Sequence, residues 1–105
     1  ATAAERALAQ QWVLFANATL ATALFVPSSR EREFPRLMTV LDRLLEGGKP
    51  LAGQHWGVAD CAVQAYLAYL PIFFPQIELS PWPNVQATIA ATQARPAYRT
   101  VMGLA

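Results

Sequence analysis

Residues 54–64 read QHWGVADCAVQ. His55, the chain's only histidine, and Cys61, its only cysteine, flank the acid Asp60. A thiol nucleophile needs a base within hydrogen-bond reach and a third group that orients the base. No cation neighbours Cys61 in sequence, and apolar residues surround it. Apolar burial raises a thiol's pKa and leaves it inert, so Cys61 reads as a small core hydrophobe and no catalytic residue is assigned. The spacing fits a helix start instead. Gly57 is an acceptable N-cap, and Asp60 then falls at N3, where a carboxylate reaches back to the N-cap amide. Its charge also suits the positive end of the helix dipole. Trp56 and Cys61 take the N′ and N4 positions of a hydrophobic staple. Gly57 lacks the hydroxyl that would complete the box, a loss of a few tenths of a kcal/mol. His55 is left as a loop residue without an assigned role.

Downstream of this cap, Val58 to about Leu70 is apolar nearly all round, with Asp60 and Gln64 as the strongly polar exceptions. Such a helix belongs at the centre of a bundle, and Pro71 is expected to end it. Upstream, Phe34, Leu37, Met38, Leu41, Leu44 and Leu45 repeat at helical spacing, which predicts one buried face. Pro35 should sit near that helix's start, because an interior proline loses a hydrogen bond and clashes. Gly47 and Gly48 should stop it in left-handed geometry, and Pro50 should prevent its resumption.

Residues 3–25 are rich in Ala, Leu and Gln, which favour helix. They carry two stripes, one through Leu8, Trp12, Phe15, Thr19 and Thr22 and one through Leu14, Ala18, Ala21 and Phe25, so cover is expected on more than one side. Pro27 and two serines close this helix. Near the end, LSPWPNV (79–85) opens a fourth helix with an inner face of Val85, Ile89 and Thr92. Arg95-Pro96 breaks it, and Pro96 to Met102 makes a short last helix ending at Gly103. The expected fold is all-α: one domain over residues 1–105, a bundle of four to five helices with short connections.

Composition narrows the classes. The chain has 105 residues, 54% hydrophobic and 14% charged, with net charge +1. That is rich enough in apolar residues to form a core and too weakly charged for disorder. The eight basic residues are scattered, which argues against a nucleic-acid-binding face. A single Cys excludes an internal disulfide and a zinc-finger pattern, so no metal is expected. A start at Ala1 suggests a processed or trimmed chain, without a signal peptide. Residues 7–29 are uncharged, but Gln10, Gln11, Asn17, Thr19 and Thr22 interrupt them. A span needs about 20 predominantly apolar residues, so no membrane segment is expected. A cytoplasmic location is.

The stretch LDRLLEGGKPLAGQHWGVADCAVQAYL (41–67) resembles the core signature of the C-terminal helical domain of glutathione transferases. In that family a Leu-rich helix, a Gly/Pro turn and a Ser/Thr-x-x-Asp cap lead into the central helix. Asp60 matches the capping Asp, and Gly57 departs from the usual Ser or Thr. SPWPNVQATIAATQARPAYRTVMG (80–103) is similar to the family's ending, and AQQWVLFANATL (9–20) to its first long helix. The resemblance implies a hydrophobic-substrate pocket wall from Trp12, Phe15, Ala16 and Thr19, joined by Tyr66. It also implies a homodimer. Glutathione and catalysis would belong to a thioredoxin-like partner domain, for which this chain has no strand-helix-strand pattern.

Two other readings stay open. Glutathione-transferase-like domains also serve as protein-interaction modules in translation elongation factor gamma subunits and some aminoacyl-tRNA synthetases, and Gln11, Trp12, Phe15 and Ala16 are similar to that branch too. An unrelated helical protein could instead bind a lipid or other apolar ligand through Tyr66, Tyr69, Phe73 and Phe74.

Overall fold

A computed structural model describes residues 2–52, 55–101 and 103. Among these, every regular element is helical. Helix α1 (Ala3–Leu14) runs through a π-helical segment (Phe15–Leu20) into α2 (Ala21–Phe25). Then follow α3 (Pro27–Leu44), a 3-10 turn (Glu46–Gly48), α4 (Val58–Leu67), α5 (Leu70–Phe73), α6 (Pro83–Gln93) and α7 (Pro96–Val101). The radius of gyration, 13.5 Å, is close to the roughly 13 Å expected of a folded domain this long. No single helix among the described residues is long and apolar enough to cross a membrane.

Thr2 and Glu5 start the chain's first helix with a full capping box. The Glu5 amide donates to Thr2 Oγ1 at 3.0 Å, and the Thr2 amide donates to Glu5 Oε1 at 3.2 Å. The Thr2 backbone bond, then its hydroxyl, hold the Glu5 carboxyl below the usual carboxylate range. The T-x-x-E spacing was there to be read at residues 2–5.

The chain bends by 119° between Ala3–Phe25 and Pro27–Leu44 across a single residue. Val26 is extended (φ −97°, ψ 114°), as a residue before proline is forced to be, and Pro27 takes the first helical position. Pro27 thus closes one helix and opens the next. This corrects the expected position of Pro35, which lies well inside α3 rather than near its start. It is tolerated there because it is exposed, so the carbonyl its missing N–H leaves without a partner can meet water.

The core gathers Ala16, Leu20 and Leu24 from the first helix with Phe34, Met38, Leu41 and Leu45 from α3 and its end. Val63, Leu67 and Leu70 meet them from the third side, and Val85 and Ile89 from α6. Leu44, expected to be inside, is 44% exposed. The stripe through Leu14 and Phe25 also lies outside: Leu14 is 69% exposed and Phe25 44%. The buried stripe runs instead through Ala16, Leu20, Ala23 and Leu24. Two of its members, Ala16 and Ala23, are small, and a count of bulky side chains misses them. The π segment also shifts the phase: the Ala21 amide donates five residues back, to Ala16 O.

α4 begins as the spacing predicts. Gly57 is its extended N-cap and Asp60 its N3 residue, and the Gly57 amide donates to Asp60 Oδ2 at 3.0 Å. Asp60 is only 1% exposed, and its Oδ1 accepts a second bond, from the Leu51 amide at 2.9 Å. The staple needs correcting. Cys61 is exposed, not a core residue, and Trp56 instead carries the Arg95 guanidinium 3.6 Å from its ring centroid. Nor is α4 covered all round. Ala59, Asp60, Val63, Gln64 and Leu67 face inward, whereas Cys61, Ala65 and Val58 are exposed. Apolar character on all sides did not require neighbours on all sides. The helix ends at Leu67, before Pro71, which sits in the first turn of α5.

Gly47 and Gly48 both have φ of 73°, left-handed geometry that suits glycine, and Gly103 has φ of 72°. Met102, expected in the last helix, lies outside the described residues.

The half-box at Gly57 yields a first prediction. The nearest atom to a Cβ added there is His55 O at 3.8 Å, ordinary contact, and φ is negative at −148°. Gly57→Ser should therefore supply the missing acceptor and stabilise the fold by about 0.5 kcal/mol. A thermal melt should show a rise of about 2–4 °C, and an unchanged or lower midpoint would contradict it.

Candidate functional site

A groove of about 430 Å³ opens between α1 and α3. α1 contributes Leu8, Gln11 and Trp12, the π-helical segment contributes Phe15, and α3 contributes Arg36, Leu37, Val40 and Leu41. Helical periodicity explains both sets. Residues 8, 11, 12 and 15 share a face of the continuous first helix, and 36, 37, 40 and 41 share one of α3. Leu41 is 1% exposed and forms the floor, whereas Val40 is 51% exposed at the rim. Trp12 and Phe15 pack edge to face with ring centroids 5.4 Å apart, the arrangement their quadrupoles favour. Among the described residues Arg36 is the one charged member of this lining, and it forms an ion pair with Glu33, one turn earlier.

The expected pocket residues divide. Trp12 and Phe15 line the groove. Ala16 is fully buried in the core. Thr19 is exposed and outside the groove lining. Tyr66 is half-buried, and its hydroxyl donates to Asn17 Oδ1 at 3.0 Å, so it pairs with a different side of the first helix. Leu37, Val40 and Leu41 complete the groove, although the helical stripe alone makes Leu37 and Leu41 packing residues and leaves Val40 unassigned. The signal available was that Val40 adjoins the α3 stripe to which Leu37 and Leu41 belong.

The YLAYLPIFF aromatics lie elsewhere. Phe25 contacts Tyr69, Phe73 and Phe74 at centroid distances of 6.0, 6.3 and 5.7 Å. Arg30 covers Phe74 at 4.6 Å and donates to Leu24 O at 2.8 Å. Its guanidinium thereby satisfies a carbonyl at the end of α2. Phe74 also borders a second depression of about 260 Å³ near Ile77 and Leu79, which Tyr66, Tyr69 and Phe73 do not line.

The opening trio does not assemble as a catalytic relay. Asp60 gives both oxygens to backbone amides, while His55 and Cys61 are exposed. Among the described residues no three His, Cys, Asp or Glu side chains gather closely enough to hold a metal ion.

Comparison with known protein families matches residues 10–99 to the family described as glutathione S-transferase, C-terminal domain. No curated protein matches the chain.

Proposed function

This chain belongs to the family of glutathione S-transferase C-terminal domains, and on that premise we propose that it supplies the apolar wall of a substrate pocket and contacts between subunits. The observation that carries this reading is the α1–α3 groove with Trp12 and Phe15 on one wall. Its volume falls within the roughly 300–1,000 Å³ of small-molecule sites, which pair apolar walls with few polar groups. Glutathione carries two carboxylates and an amine. Among the described residues the polar side chains of the lining are Gln11 and Arg36, which do not match that set; the family resemblance assigns glutathione and its activation to a thioredoxin-like partner domain. Val40 and Leu44, both exposed on α3, are the proposed homodimer contacts. A cytoplasmic location belongs to the same reading.

Two measurements test it. The coding sequence immediately upstream should contain a thioredoxin-like segment, and its absence would remove the enzyme reading. The groove is tested directly with the uncharged fluorophore N-phenyl-1-naphthylamine. Trp12→Ala should weaken its binding about tenfold through lost apolar contact. An unchanged affinity would exclude Trp12 from any binding wall.

The second reading, a protein-interaction module, is favoured by a different observation. Leu14, Val58, Ile72 and Phe73 are all exposed, more large apolar surface than packing within this domain uses. Sedimentation of the chain beside Leu44→Glu and Phe73→Glu separates the readings: self-association lost only in Phe73→Glu favours this one, loss only in Leu44→Glu favours the first, and a clean monomer at high concentration counts against self-association in both.

A further inference from the structure

We propose that the corner formed by Phe25, Val26, Ile72 and Phe73 docks on a lipid surface, placing its apolar side chains below the headgroups without crossing the bilayer. The occupant is a neutral phospholipid interface, and the inference does not depend on the α1–α3 groove. Three observations lead to it.

The first is composition. Phe25 and Val26 stand where the chain bends into α3, and Ile72 and Phe73 close α5. They are 44%, 42%, 46% and 58% exposed. Phe25 joins the two segments, with its ring centroid 6.3 Å from that of Phe73 and 6.0 Å from that of Tyr69. Residues 7–29 and 61–77, which build the corner, carry no charged side chain. Large apolar residues on uncharged chain are what an interfacial anchor buries at the boundary of headgroups and acyl chains.

The second is the backbone. The Val26 amide donates to Thr22 O at 3.0 Å. The Ile72 and Phe73 amides both donate to Tyr69 O, at 3.1 and 2.8 Å, and the Phe74 amide donates to Leu70 O at 2.9 Å. Pro27, Pro71 and Pro75 have no N–H to satisfy. Across residues 26–27 and 71–75, therefore, no backbone donor is left over. Arg30 also satisfies Leu24 O beside the corner. Lipid imposes that condition, because it offers no water to an unpaired amide. The first-turn amides of α3, at Ser28 and Ser29, have no carbonyl partner within their helix, and they mark the level of the hydrated headgroups.

The third is size. From their exposed fractions, the four side chains offer roughly 350 Å², less than half of the roughly 800 Å² that each partner buries in a stable protein interface. A second copy of the chain would find too little surface here. A lipid surface sets no such minimum, since its binding simply scales with the apolar area inserted.

Flotation with phosphatidylcholine vesicles tests the idea. The chain should rise with the vesicles, and added salt should not release it, because no charge pair carries the contact. Val26→Glu and Phe73→Glu lie on different segments, and each should lower the partition coefficient at least about tenfold. Val101→Glu is the control. Val101 is 84% exposed on α7, and Arg95, just before that helix, stacks on Trp56 at the start of α4, the opposite end of α4 from the corner. Its partition coefficient should equal that of the parent chain. No flotation of the parent chain, or flotation unchanged in either corner variant, overturns the proposal. An equal loss in Val101→Glu would mean adsorption through any exposed apolar residue and overturns it too, as does release by salt. Flotation lost in Trp12→Ala would put the lipid in the groove instead. Self-association lost in Phe73→Glu while flotation persists would assign the corner to a protein partner and overturn the lipid assignment.

Discussion

Asp60→Ala should be among the most destabilising single substitutions in this protein, at about 2–4 kcal/mol. The carboxylate is 1% exposed and accepts two backbone amides, from Gly57 at 3.0 Å and from Leu51 at 2.9 Å. Removing it strands both donors, each with a desolvation penalty of about 1–3 kcal/mol, and it takes a negative charge from a helix start. The two bonds do different jobs. One fixes the first turn of α4. The other ties the incoming segment at Leu51, itself packed on the core, to that turn. For a domain of this size the loss corresponds to a fall of about 10–20 °C in unfolding midpoint. Asp60 is not in the groove lining, so the folded fraction of the variant should bind N-phenyl-1-naphthylamine with unchanged affinity. An unchanged melting temperature would sink the capping account, and a change in probe affinity alone would point to a role in binding.

How much of this was legible depends on whether the controlling interaction is local. The Gly57–Asp60 cap spans four residues and could be read from spacing, as could the left-handed stop at Gly47 and Gly48. The second partner of Asp60, the Leu51 amide, could not, because nothing in sequence specifies which loop a buried carboxylate will meet. Cys61 was misplaced for a related reason. Apolar neighbours in sequence describe a helix's composition, and only the packing of α4 against the first helix and α6 decides which side is covered. The groove was half legible. Trp12 and Phe15 stood out by their chemistry and by resemblance, but the opposite wall on α3 follows from the sharp bend at Val26. The resemblance places Tyr66 on the same wall, yet its bond to Asn17 takes it to another side of the first helix.

The α3–α6 junction carries the second large effect, and it is entirely non-local. α6 has no side-chain cap of its own: its N-cap is Trp82, and Pro83 occupies the first turn. Asp42 provides the cap from α3. Its Oδ1 accepts the Asn84 amide at 2.8 Å and the Val85 amide at 3.1 Å, the N2 and N3 donors that an N-cap side chain would ordinarily satisfy. The Asn84 side-chain amide adds bonds to Asp42 Oδ2 at 3.2 Å and Asp42 O at 3.1 Å. Trp82 fastens the same seam, donating from Nε1 to Thr39 Oγ1 at 3.1 Å and packing edge to face on Phe34. Asp42→Ala should therefore cost about 2 kcal/mol, near the upper end for a lost cap, and lower the unfolding midpoint by about 10 °C. Asp42→Asn keeps an acceptor for the two amides but loses the charge at the α6 dipole, about 0.3–1 kcal/mol, so it should fall between Asp42→Ala and the parent chain. Asn84→Ala separates the two kinds of bond. It leaves both backbone amides on Asp42 and removes only the side-chain donor, so its effect should be about 1 kcal/mol or less. If the two alanine variants lost equal stability, the side-chain bonds would be holding the seam and the cross-helix cap would be incidental. A large gap between them, with the double variant no worse than Asp42→Ala alone, is the result expected of α3 capping α6.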